Sequence, residues 1–458
     1  MALKSFIVFI IISLNSSLFA FWELVENPKI RDIKKLIEKE PQNVELYLKL
    51  AKEYDNEYLK TKNIDHFEQA YLFSKKAYEL NPMNINVVNH YYFYGTNYAL
   101  FKKDYILLDS FSDIFNILIN SNINAVPLSY IKASMIAYNE MNYKRIIGHL
   151  KDAMKENKNY LAIYDYLSTV YYDSKKYALS LQISKMGERL NPNYFGFYKI
   201  QALSMMGIIR EREKKNQCPL FNDEDNNKIV SLFKKAIQLN PQDLLSKEEL
   251  TTMYNRMGKN RLAVFVMEQA LKQNPKNEYI KFQLVKNYIE NLQLEKAKEL
   301  LSEFSPKEEF KQNSINYEYT IVYILEKKWE AAYTYAKKNK QFIDKEKVGT
   351  FYTYLKFALL EKALGGSYNS LNKLPDHLKL TDWHIFLKKY ILDDIDEETL
   401  VKEASNKCKK SEAYFYIGYK SMFDGDLDKA KKYFENVVDL KVYSYQEYII
   451  SKHYLSKW

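Results

Sequence analysis

The chain has 458 residues, and its 11 glycines and 10 prolines make under 5% of it, where an average chain carries roughly 12%. That shortage counts against an all-β fold and against nucleotide-binding folds built on glycine loops. With 47% apolar residues, 28% charged residues and a mean hydropathy of −0.45, the composition also counts against disorder and against a polytopic membrane protein. The 68 basic residues exceed the 58 acidic ones by ten, spread along the length. Short runs such as Lys214-Lys215 and Lys409-Lys410 read as solvated faces, so no nucleic-acid partner is expected.

Residues 1–20 read as a secretory signal peptide. Lys4 supplies the positive start, Phe6 to Leu14 the apolar run, and Ala20 a small residue before Phe21. Leu18 is larger than the peptidase prefers, which leaves the cut position open. The run is shorter than the ~20 residues that span a bilayer, although an uncleaved anchor is the alternative. No cysteine follows the cleavage region, so a lipid-anchored form is not expected. The mature protein is expected in the periplasm or outside the cell, neither membrane-spanning nor lipid-anchored.

Helical periodicity dominates thereafter. Residues 21–43 are expected to hold a capping helix, in which Ile30, Ile33, Leu36 and Ile37 share one face after Pro28. Asn-Pro pairs end helices at Asn81-Pro82, Asn191-Pro192, Asn240-Pro241 and Asn274-Pro275, the last two 34 residues apart. Proline cannot continue a helix, and it pushes the residue before it out of the α region. Between such stops the pattern of two antiparallel helices recurs. Tyr164, Leu167, Ser168 and Tyr171 are followed by Tyr177, Leu181, Ser184 and Gly187. Leu250, Thr251 and Tyr254 are followed by Ala263, Met267 and Ala270; Tyr414, Ile417 and Gly418 by Ala430, Phe434 and Val437. Large and small residues alternate so that two helices can approach closely.

These residues resemble the tetratricopeptide repeat, and the resemblance covers residues 44–442 in about ten or eleven degenerate units. It implies an all-α fold, a right-handed superhelical solenoid of antiparallel helix pairs. Insertions near 58–65 and 210–227 break the period and are expected as loops, either tolerated or on a binding face. Residues 443–458 are expected to form a C-terminal capping helix. In such a linear array each unit touches only its neighbours. Cys218 and Cys408 lie 190 positions apart, so a disulfide between them is not expected.

No catalytic signature emerges, and no cofactor or metal is expected. The 11 glycines form no phosphate-binding motif, and the six histidines form no HExxH. Asp376, His377, Asp382 and His384 beside Trp383 are the nearest approach to a metal cluster, but packing plus solvated surface explains them as well.

What remains is a surface. The resemblance implies that the first helix of each unit lines a concave groove. The matching positions are Phe93, Tyr138, Asp165, Tyr172, Lys199, Tyr279, Phe282, Tyr317, Phe351, Phe415 and Tyr419. Tyr138, Asp165, Tyr172 and Lys199 are the candidate partner-binding strip. The family's paired Lys and Asn clamp for a C-terminal carboxylate is not evident, since Leu203 follows Lys199 by a turn. These rings either bury against neighbouring units or form a groove for an extended peptide. The expectation is therefore an exported, non-enzymatic scaffold that binds a protein partner. Similar exported repeat proteins serve in envelope assembly, pilus biogenesis and secretion. The alternative is a carbohydrate-handling module of an exopolysaccharide export system, with a polysaccharide in the groove.

Overall fold

The computed structural model describes residues 27–216, 218, 223–305, 309–348 and 350–458, with the side chains of residues 138, 216, 309 and 310 left aside. The expected signal peptide lies outside the described residues. Those residues form helices and connecting turns, with no strand among them. The chain divides into two compact units, residues 1–191 and 192–458.

In the first unit α1 (Pro28–Lys39) precedes the pair α2 (Val44–Thr61) and α3 (Ile64–Leu80). Next comes α4 (Ile85–Lys102), followed by the short helices α5 (Tyr105–Asp109) and α6 (Ser112–Asn120). Two regular pairs complete it: α7 (Leu128–Glu140) with α8 (Tyr143–Glu156), and α9 (Leu161–Asp173) with α10 (Tyr177–Leu190). The second unit opens on α11 (Phe195–Asn216) and α12 (Asp223–Leu239), then α13 (Leu244–Arg256) with α14 (Asn260–Gln273). The helices α15 (Glu278–Glu290), α16 (Leu294–Ser302), α17 (Glu309–Leu325) and α18 (Trp329–Glu346) continue the series. Then come α19 (Phe351–Ala363), α20 (Asn369–Asn372), α21 (Asp382–Ile391) and α22 (Glu397–Glu403). The last pair is α23 (Lys407–Phe423) with α24 (Leu427–Asp439), and α25 (Gln446–Leu455) closes the unit.

This is the all-α array of helix pairs that the resemblance implies, and its local causes are visible. At Asn81, Asn191 and Asn274 the backbone turns extended (φ −146°, −145° and −136°), as the following proline requires. Each still closes its helix by donating its N–H to a carbonyl four residues back. Small residues let paired helices touch. Ser180 Oγ donates to the Ser168 carbonyl across the α9–α10 seam at 2.7 Å. A Cβ placed on Gly418 would stand 3.1 Å from the Phe434 ring and 3.2 Å from the Ala430 carbonyl oxygen.

The stretches expected as loops are mostly helix. Residues 58–61 prolong α2, and α3 begins three residues later. Likewise, residues 210–216 prolong α11 by two turns, held by Arg256, whose guanidinium pairs with Glu213, and by Arg210 with Glu249 at 3.5 Å. Extending a helix keeps its backbone hydrogen bonds, whereas a loop of equal length would have to satisfy them elsewhere.

One expectation is overturned. Cys218 and Cys408 form a disulfide, their Cα atoms 5.5 Å apart. The reasoning from sequence assumed a linear stack in which distant units never meet. Instead the second unit curls. Gly258 turns with φ +68° at the α13–α14 corner, and a Cβ there would lie 2.9 Å from the Tyr443 ring. Cys218, just after α11, meets Cys408 in the first turn of α23, and the bond closes a loop of 190 residues.

Two outcomes follow from this packing. Gly418→Leu should overfill the α23–α24 seam and cost about 1–3 kcal/mol, read as a lower midpoint in urea unfolding. Cys408→Ser should cost about 2–5 kcal/mol, as removing a native disulfide does, with the loss matched in the wild type by reductant. An unchanged midpoint in both variants contradicts the packing described.

Candidate functional site

In the second unit the first helices of successive pairs turn a polar face toward the segment that leads into α25. Gln446, its first residue, donates from Nε2 to the Tyr317 hydroxyl at 2.8 Å. Its Oε1 accepts from Lys356 Nζ at 2.9 Å, and that ammonium also donates to Tyr317 at 3.2 Å. Lys356 Nζ sits 4.5 Å from the Tyr317 ring centroid, close enough for a cation–π contact. On α23, Glu412 Oε2 accepts from the Tyr352 hydroxyl at 2.8 Å and from Trp383 Nε1 at 2.7 Å. Tyr416 donates to Glu447 at 3.4 Å. At the far end of α25 the fully buried Tyr454 donates to the Ile324 carbonyl at 2.7 Å.

Two cavities remain among these groups. One, of about 400 Å³, is lined by Tyr352, Lys356, Glu412, Tyr416 and Glu447. The other, of about 250 Å³, is lined by Lys286, Glu290 and Glu318 over a floor of isoleucines. Tyr317, Ser444 and Gln446 line both.

Burial governs the electrostatics. It pushes Glu290, Glu318 and Glu412 up to about 7 each. The charge of Glu318 raises Glu290 further, and that of Glu447 raises Glu412, while Lys286 and Lys356 act in the opposite sense on Glu318. Burial lifts Glu447 as well, and it holds the Tyr352 and Tyr416 phenols far above their ordinary value, so both remain donors. Such a chamber offers hydrogen bonds and negative charge. Among the described residues no group of three or more His, Cys, Asp or Glu side chains is placed to hold a metal ion.

The strip read from the sequence falls on both units. Asp165 and Tyr172 stand on α9, half-buried, and the Tyr172 ring is tilted against Tyr177 at 5.4 Å. Tyr138 belongs to α7, its side chain outside the described residues. Lys199 belongs to α11 of the second unit, with Nζ 3.6 Å from Asp243 and 4.9 Å from the Phe195 ring centroid. Of the wider set, Phe93 and Tyr279 are exposed, and Tyr317 lines the cavities. Phe351, Phe415 and Tyr419 are core, so for these three the rings do bury against their neighbours.

His384 has a structural task. It completes a capping box with Thr381 at the start of α21, and its ring stacks on Phe351 at 4.7 Å. The buried Glu318 and Glu412 and the half-buried Glu290 and Glu447 were missed in the sequence. Their signal was an acid inside an apolar stripe: Glu318 lies between Ile315 and Val322, and Glu412 between Cys408 and Phe415, at helical spacing.

No protein-family model matches the chain, and no curated protein matches it. Solved structures similar to it include a thermophilic tetratricopeptide-repeat protein of Thermus thermophilus, 17% identical, covering 39% of this chain and 89% of that one at a TM-score of 0.31. The pilF protein of Pseudomonas aeruginosa is 12% identical, covering 57% of this chain and 89% of its own at 0.33. The C-terminal part of a repeat-containing protein from Cytophaga hutchinsonii is 16% identical, covering 68% and 95% at 0.29. With such scores the case for the array rests on the helix pairs themselves.

A pH dependence follows from the raised carboxyls. The folded chain holds protons on them that the unfolded chain releases near pH 4.5, so they weaken the fold as pH rises through the interval up to about 7. Glu412→Gln should therefore gain on the wild type between pH 5 and 8, by at most about 3 kcal/mol. Thermal midpoints measured across that range check it, and parallel curves contradict it.

Proposed function

We propose that the chain is an exported, non-enzymatic scaffold whose helix-pair array docks a polypeptide segment of another protein, in assembly or secretion at the cell envelope. The observation that carries the reading is that the array already receives a segment of polypeptide in cis. Residues 444–454 lie over the first helices of the second unit through Gln446, Glu447 and Tyr454, with partners on α17, α19 and α23. Aromatic rings with polar tips suit that task, because one side chain supplies both apolar area and a hydrogen bond. The same kind of surface on the first unit, with Asp165 and Tyr172 on α9 and Tyr138 on α7, is then the place for a segment supplied in trans, and Lys199 is its counterpart on α11.

Export is supported by the disulfide. Such bonds persist in the periplasm and outside the cell and are rare where glutathione keeps thiols reduced. The signal-like residues 1–20 agree with that address, and no helix among the described residues is long and apolar enough to cross a membrane.

Two measurements test this. The mature N-terminus, read by mass spectrometry from fractionated cells, should begin near Phe21; a soluble cytosolic product that retains Met1 sinks the export reading. A photo-crosslinker placed at Thr169, exposed between Asp165 and Tyr172, should join one defined polypeptide in intact cells. Tyr138→Ala with Tyr172→Ala should abolish that product and leave the far-UV circular dichroism unchanged. Adducts only to polysaccharide favour a carbohydrate-handling module, and collapse of the fold shows that the two rings are core.

A further inference from the structure

The smaller cavity of the second unit holds two carboxyls that no cation engages directly, although Lys286 lines the same space. Glu318 is 8% exposed, lines the cavity, and has no hydrogen-bond or ion-pair partner among the described residues. Two helices earlier, at the end of α15, Glu290 lines the same space, and its buried Oε2 has no hydrogen-bond partner among the described residues. A buried carboxylate without a partner is expensive, on the order of several kcal/mol, unless it is neutralised or paired. The neighbouring cations are turned to other tasks. Lys286 Nζ lies 5.0 Å from the Phe282 ring, and Lys356 is held by Tyr317 and Gln446. From α25 and the turn before it the groups facing the cavity are uncharged, Ser444 and Gln446 with Ile449 and Ile450.

The rest of the lining says what kind of cation would fit. Ile289, Ile321, Ile449 and Ile450 form an apolar floor that offers a metal ion no ligands but would take a methylene chain. The wall shared with the larger cavity is Tyr317 with Gln446, and on that wall the protein already seats an alkylammonium of its own. Lys356 Nζ rests on the Tyr317 ring and donates to its hydroxyl and to Gln446. We propose that the cavity bounded by Glu290, Glu318, Tyr317 and the terminal helix binds a primary alkylammonium ion, its charged head at the two carboxylates and its methylenes on the isoleucine floor. The volume of about 250 Å³ accommodates a short diamine or the side chain of a lysine. The raised carboxyls agree: a bound cation would return them to the ionised form, so binding should weaken as pH falls below about 7.

The probe is putrescine, titrated calorimetrically into the intact disulfide-bonded protein at pH 8 and at pH 5.5, with magnesium chloride as a charge control. Saturable one-site binding is expected at pH 8, at least tenfold weaker at pH 5.5. Glu318→Gln should weaken it at least tenfold, whereas the exposed Glu38→Gln should leave it unchanged. Glu290→Gln on the other helix serves as the second variant should Glu318→Gln fail to fold. A parallel arm with a lysyl pentapeptide, Gly-Gly-Lys-Gly-Gly, separates the sources. Equal binding of the peptide assigns the site to a lysine of a partner, and binding of the diamine alone assigns it to a free amine. No saturable binding of either, an equal effect of magnesium, or indifference to both cavity variants overturns the proposal.

Discussion

A helix pair has two apolar faces and can bury only one of them by itself, so the end of an array is where its burial fails. The second unit meets this constraint with one element. Helix α25 covers the last pair through Tyr448, Ile449 and Tyr454, all buried in the apolar cluster that runs from Val264 to Tyr454. It also reaches back across the unit, so that Tyr454 touches Ile324, 130 residues earlier, and Gln446 touches Tyr317, 129 residues earlier. A cap on a linear stack would touch its neighbour alone. Here the cap ties the end of the unit to its middle, and the Cys218–Cys408 bond ties the same end to its beginning.

The polar chamber is the cost of that arrangement. First helices in such an array carry polar residues on the face away from their partners, where water would ordinarily solvate them. Laying α25 across that face displaces the water and leaves Glu290, Glu318 and Glu412, together with Glu447 of α25 itself, in a confined space. Glu412 is compensated by two neutral donors, Tyr352 and Trp383, and Glu447 by Tyr416. For Glu290 and Glu318 the compensation is incomplete, which is why charge and volume coincide there. Tyrosine is the economical residue in such a place, since its phenol stays protonated and donates while its ring packs. The 41 tyrosines of the chain make sense in this light.

The helix pairs were legible because their rules are local. Asn-Pro stops, small residues at the seams and helical spacing all act within about forty residues, and each was found where the pattern put it, as at Asn274 and Ser168. What was not legible depended on curvature. Whether Cys218 meets Cys408 is decided by small rotations accumulated over many pairs, and no single pair encodes their sum. The same holds for Phe351, Phe415 and Tyr419. Their register positions admitted either groove or core, and only the tight packing of the second unit makes them core. The buried acids were visible as interruptions of apolar stripes. Yet an acid in such a stripe reads equally as an edge position until the element laid over it is known.

That last element also bears on how the chain recognises anything else. An inner face that already holds α25 through a fully buried tyrosine is not an open groove, and exchanging that helix for a partner would uncover Tyr454 and Ser451 together. Losing one buried aromatic ring alone costs about 3–5 kcal/mol, a large share of the stability of an ordinary domain. A partner segment would have to recover all of it before gaining any affinity. Recognition by displacement is therefore disfavoured on the face that α25 covers. Docking of a longer segment is the role proposed above for helix α9, where Thr169 is exposed between Asp165 and Tyr172.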